Sequence, residues 1–118
     1  MIMFNYKTHE IDKLEYVPVG SINDFDNNDR FFVDVDGEKI VILKVADLYY
    51  AIADVCSHDD GPVGEGVVEG CEIVCPRHGA RFDIQTGKVL ALPAFVDIPA
   101  YPVRILNGQI EIGLPIEE

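Results

Sequence analysis

Apolar and polar positions along this chain follow short, strand-like runs broken by turn signals, and segments with helical period are scarce. Residues 15–19 form a first predicted strand, and Pro18, which cannot donate to a ladder, places it at a sheet edge. Residues 30–35 and 38–45 are rich in β-branched and aromatic side chains and flank Asp36-Gly37, a strong two-residue hairpin signal. Residues 48–53 give a further strand. Residues 101–106 and 109–112 flank Asn107-Gly108, a second hairpin of the same type. Residues 71–75 read as one more strand, with Cys71 sharing a face with Ile73 and so expected in the core. One helical turn is predicted, over residues 21–25, with Ser21 able to cap it. The expected fold class is all-β.

At 118 residues with 48% hydrophobic content, the chain is long enough for one globular domain, residues 1–118, around a single core. It contains neither repeats nor low-complexity tracts. No stretch approaches the about 18 apolar residues of a membrane span, and the opening MIMFNYKTHEID lacks the apolar run of a signal peptide. Three cysteines fit a reducing compartment, so the expectation is a soluble, cytoplasmic protein with no membrane partner. Nine basic against 21 acidic residues give a net charge of −12. Nucleic acid is excluded as a partner, because phosphates require basic patches. Acidity serves either solubility or steering toward basic docking faces. His9, alone in a polar stretch, reads as a solvated surface residue. A Ser/His/Asp set, a phosphate-binding glycine loop and a flavin fingerprint are all missing, so nothing points to substrate chemistry on this chain.

The chemistry lies in two paired signals: Cys56-Ser57-His58, then sixteen residues, then Cys75-Pro76-Arg77-His78. Two thiolates and two imidazoles on separate loops can hold a binuclear iron–sulfur cluster, with one iron on the cysteines and the other on the histidines. Zinc also takes Cys2His2, although structural zinc sites pair cysteine with cysteine and histidine with histidine, whereas each half here is mixed. A mononuclear iron on His58, His78 and Asp59 or Asp60 leaves both cysteines unexplained. Gly61-Pro62 after the first pair, and Pro76 and Gly79 around the second, let backbone turn sharply and approach inorganic sulfur. Asp59 and Asp60 form a candidate docking edge and would raise the cost of reduction. Arg77 and Arg81 either orient a partner or pair with nearby carboxylates.

The C-x-H and C-x-x-H signature, continuing through Gly79-Ala80-Arg81-Phe82-Asp83 and Thr86-Gly87-Lys88, resembles the Rieske-type [2Fe-2S] family, and less distinctly so over most of the chain. The resemblance implies Rieske-type stacked antiparallel sheets with a small cluster-binding subdomain at about residues 54–90. It also implies one [2Fe-2S] cluster per chain on Cys56, His58, Cys75 and His78, near one tip with the histidine edges toward solvent. The high-potential branch of that family has a disulfide between the two loops. Gly61 and Arg77 occupy the matching positions, so no bridge can form. Ala80 and Phe82 stand where that branch has hydroxyl donors to the cluster, which argues for a potential near the low end of the about −150 to +300 mV Rieske range. Leu92-Pro93-Ala94 matches a family loop over the cluster, and an ordinary surface turn is the competing reading.

This is the pattern of soluble Rieske ferredoxins of bacterial multicomponent oxygenases. The function it implies is a monomeric one-electron carrier, not itself an enzyme, between a flavin-dependent reductase and a terminal oxygenase. The alternative is a Rieske-like small subunit of a larger oxidoreductase such as nitrite reductase. A zinc-stabilised interaction module is a third class.

Overall fold

The computed structural model describes residues 14–25 and 29–115; His9 lies outside them. Eleven strands follow in order: β1 (Leu14–Ser21), β2 (Arg30–Val35), β3 (Glu38–Val45), β4 (Leu48–Ala53), β5 (Val67–Glu69), β6 (Glu72–Val74), β7 (Arg81–Asp83), β8 (Val89–Ala91), β9 (Ala100–Tyr101), β10 (Val103–Leu106) and β11 (Gln109–Pro115). They form three antiparallel sheets, in the orders β1-β11-β10, β2-β3-β4-β9 and β5-β6-β7-β8. The all-β expectation holds.

β1 is an edge strand, as its proline predicts, and the register slips between Pro18 and Gly20, where a donor is missing. The predicted helical turn is a 3-10 turn, Ile22–Phe25. Ser21 caps it: the Asn23 amide donates to Ser21 Oγ at 3.1 Å, while Asp24 accepts from the Ser21 amide at 2.8 Å. Asp36-Gly37 and Asn107-Gly108 both take the left-handed backbone that two-residue hairpins require. Ala46-Asp47 does the same between β3 and β4 with no glycine at all. Residues 101–106 do not form one strand. Pro102 interrupts them, so that β9 pairs with β4 while β10 pairs with β11 in another sheet. Lacking an N–H, Pro102 cannot continue a ladder, but its carbonyl accepts from the Gly113 amide at 2.9 Å and holds the crossing point.

β3 is the shared wall. Its run Ile40-Val41-Ile42-Leu43 is buried throughout, and successive side chains enter different cores. Ile40 and Ile42 join Phe25, Ala51, Tyr101, Ile110 and Ile112 between the first two sheets. Val41 and Leu43 join Ile52, Ile73, Phe82 and Ile84, and this second core also contains Cys56 and Cys75. The support and the two cysteines are thereby packed through one strand. Leu43→Ala is expected to cost about 2–5 kcal/mol. A urea midpoint that falls with an unchanged m-value would register this; an unshifted midpoint would show that the strand does not bear on the second core.

Candidate metal centre

The two loops that carry the paired signals share one backbone design. In the first, the Cys56 amide donates to the Gly61 carbonyl at 2.7 Å and the Asp60 amide donates back to the Cys56 carbonyl at 2.7 Å. In the second, the Cys75 amide donates to the Ala80 carbonyl at 2.7 Å and the Gly79 amide to the Cys75 carbonyl at 3.0 Å. Each loop is therefore a six-residue turn closed reciprocally at its cysteine. Closing it requires left-handed backbone at the fifth residue, which is Asp60 with φ 61° in the first loop and Gly79 with φ 77° in the second. Gly61, the glycine that the sequence offers for the sharp turn, is not left-handed. Its role is spatial, because a Cβ there would lie 2.7 Å from the Arg77 guanidinium carbon.

These turns sort the four donors by depth. Cys56 and Cys75 are fully buried, whereas His58 and His78 are exposed with ring centroids 5.0 Å apart. Among the described residues the donors fall into two groups, Cys56 with Cys75 and His58 with His78. Asp59 lies within 4.8 Å of both, with Nε2 of His78 4.0 Å from its carboxylate. Yet Asp59 is already committed. Arg77 Nε and Nη2 donate to its two oxygens at 2.6 and 2.8 Å, and the Gly61 amide donates to Oδ1 at 3.0 Å. Arg77, followed by the Gly61 amide, holds this carboxyl well below the usual carboxylate range. Burial pushes the Cys56 thiol up, and neighbouring Cys75 adds to the rise. A buried thiol pair beside an exposed imidazole pair fits a binuclear group, with one iron on the sulfurs and a second on the imidazoles.

The surroundings fix both turns. Asp54, at the end of β4, accepts from the Val63 and Gly64 amides at 3.0 and 2.7 Å. Arg30 reaches from β2 to the Gly64 and Gly66 carbonyls at 2.6 and 2.7 Å and is itself held by Asp29. Neither residue belongs to a recognisable motif, and only the folded chain reveals them as supports. The segment containing Leu92-Pro93-Ala94 covers the first loop. Ser57 Oγ donates to the Val96 carbonyl, and Ala94 is buried in the core that contains both cysteines. Ala80 and Phe82 are both fully buried in that core, with no hydroxyl to offer.

Arg77 and Arg81 both pair with carboxylates rather than standing free, Arg81 with Glu69 at 2.6 Å and Glu72 at 3.6 Å. Cys71 is half-buried in the two-residue turn Gly70-Cys71 before β6, not in a strand, because Glu69 already pairs with Glu72. It still packs against the core. All three cysteines are free.

Sheets that seat two matched loops, with sulfur donors inside and nitrogen donors outside, define an iron–sulfur metalloprotein. Residues 15–102 match the Rieske [2Fe-2S] domain, and the chain belongs to that family. It is 36% identical over 99 residues to the ferredoxin component of the naphthalene 1,2-dioxygenase/salicylate 5-hydroxylase systems of a Ralstonia species, covering 84% of this chain and 95% of the relative. Its fold is similar to the ferredoxin of carbazole 1,9a-dioxygenase from Nocardioides aromaticivorans IC177, with TM-score 0.76, 32% identity, and 82% and 95% of the two chains covered. A chain from a complex of reduced oxygenase and oxidized ferredoxin in carbazole 1,9a-dioxygenase gives TM-score 0.77 at 25% identity, covering 87% and 96%.

The turn design predicts that Asp60 is there for its backbone. Asp60→Gly is expected to keep or raise thermal stability, while Asp60→Val costs about 1–2 kcal/mol. Equal melting temperatures for the two variants would refute the assignment.

Proposed function

We propose that Cys56, His58, Cys75 and His78 hold one [2Fe-2S] cluster per chain, and that the protein carries single electrons from a flavin-dependent reductase to a terminal oxygenase. The observation that carries the ligand assignment is the separation of donors into a buried thiol pair and an exposed imidazole pair. One zinc would draw all four donors together. Of the two aspartates a mononuclear iron could use, only Asp59 groups with the histidines, and Arg77 already occupies its oxygens. When bound, the cluster supplies a one-electron couple. Cys56 and Cys75 anchor it to the core, while His58 and His78 present the edge through which the electron enters and leaves.

The relatives' names support the carrier reading over the catalytic one: they are ferredoxin components of oxygenase systems, and this chain covers nearly their whole length. That coverage also favours a free carrier over a permanent subunit of a larger enzyme. Docking is transient, as a shuttle requires, and the net charge of −12 steers it toward basic faces. Leu92, Phe95 and Val96 are exposed on the segment tied to Ser57 and give the contact a small apolar component. The protein acts as a monomer in the cytoplasm, as one domain in which residues of about 54–90 form the cluster-binding part. Among the described residues no helix is long and apolar enough to cross a membrane.

Purified protein reduced with dithionite is expected to give a rhombic mixed-ligand [2Fe-2S] EPR signal, with iron and sulfide near two each per chain. A colourless, EPR-silent protein holding zinc would overturn the proposal. With Ala80 and Phe82 offering no hydroxyl, the midpoint is expected near the low end of the about −150 to +300 mV Rieske range. His78→Cys adds an anionic ligand and is expected to lower it further, by on the order of 100 mV. An unchanged midpoint would show that His78 is not a ligand.

A further inference from the structure

We infer that the Arg77–Asp59 ion pair is a non-covalent tie between the two cluster loops and, at the same time, a local charge balance beside the histidine edge; the inference rests on the cluster assignment above. Arg77 belongs to the second loop, yet its three side-chain hydrogen bonds go to the first loop and the residue just after it. Nε and Nη2 take both oxygens of Asp59, and Nη1 donates to the Pro62 carbonyl at 2.6 Å. The guanidinium thereby spans the first loop from its third residue after Cys56 to the residue beyond the closing carbonyl of Gly61.

Gly61 is the matching half of the device. Its backbone is ordinary, but an added Cβ would stand 2.7 Å from Cζ, 2.7 Å from Nη2 and 3.0 Å from Nε of Arg77. Glycine at 61 and arginine at 77 thus fit one another: the missing side chain is the space in which the guanidinium lies flat. With all three cysteines free, this contact joins the loops without covalent chemistry. Bidentate Arg–carboxylate geometry is what distinguishes a tie from an ordinary surface pair, and both side chains are about one-quarter to one-third exposed rather than fully solvated.

The same contact sets local charge. Asp59 lies 4.0 Å from His78 and within 4.8 Å of the thiol donors, so an unpaired carboxylate there would oppose the arrival of an electron. Arg77 cancels it. Asp59 consequently adds little net charge at the edge, which leaves Asp60 as the exposed acidic neighbour.

The test compares wild-type holoprotein with Arg77→Gln, Asp59→Asn, Arg77→Lys and the double variant R77Q/D59N. Loss of visible absorbance in the presence of an iron chelator reads the tie. Each single neutralisation is expected to speed bleaching about three- to tenfold, with the double variant no faster than the singles, because the two residues act as one unit. Lysine keeps the charge but not the fork, so Arg77→Lys should bleach faster than wild type while holding a near wild-type midpoint. Redox titration reads the charge balance: the midpoint should fall in Arg77→Gln, which bares the carboxylate, and rise in Asp59→Asn, which removes it. Unchanged bleaching in both singles, or additive effects in the double variant, would overturn the tie. Midpoints moving in the same direction would overturn the charge balance. Amide exchange across residues 57–62 should quicken in both singles whether or not iron is bound. A wild-type protein without iron would therefore sink the cluster assignment alone, and unaltered exchange would sink the tie alone.

Discussion

Everything at this site depends on a turn closed on a cysteine. The amide and carbonyl of Cys56, and again of Cys75, are both taken up by the loop that follows, so each thiol is fixed to the core side of its own loop. Backbone groups at the foot of a buried loop must be paired or they cost more than they return. Pairing them reciprocally around one residue leaves the side chain there no choice of direction. The histidines, two or three positions further on, fall at the crest of the turn and stay in water. A carrier needs that polarity, with one side of its redox group anchored and the other reachable.

The rest of the fold serves to hold those two turns at a fixed separation. β3 sends alternate side chains into two cores, so the sandwich behind the site and the sulfur-bearing core share a wall. Asp54, just after β4, and Arg30, from β2, hold the segment that follows the first loop, while β6 and β7 enter and leave the second. Protein interiors are close-packed, and a shift in one of these strands is transmitted to the cysteines rather than absorbed. Rigidity of this kind suits electron transfer, in which the surroundings should change little when one charge is added.

Charge is organised locally rather than by the overall excess. The chain is strongly acidic, yet Arg30, Arg77, Arg81 and Arg104 each hold at least one carboxylate. Three of them lie around the loops or the strands that carry them, and two of these, Arg30 and Arg77, also donate to backbone carbonyls, at Gly64 and Gly66 and at Pro62. Arginine suits this work because its fork can grip a carboxylate and a carbonyl together. The acidic surplus is left for the outer surface, where long-range steering operates.

Local chemistry was legible in the sequence. The spacing of Cys56, His58, Cys75 and His78 picked out the candidate donors, Asp36-Gly37 and Asn107-Gly108 marked hairpins, and Pro18 marked an edge, since each depends on neighbours a few residues away. Cys71 was misplaced because a strand reading extended one residue too far into a turn that only its pairing partner defines. The split of residues 100–106 between two sheets was equally hidden, because Pro102 forbids a ladder bond without saying which sheet follows. Gly61 looked like a turn glycine and is instead the space for Arg77, eighteen residues from the aspartate it grips. Sequence alone thus singled out which atoms are candidates to bind metal. Tertiary structure decided which of them are buried, what holds them there and which charges cancel, because those properties belong to contacts between distant parts of the chain.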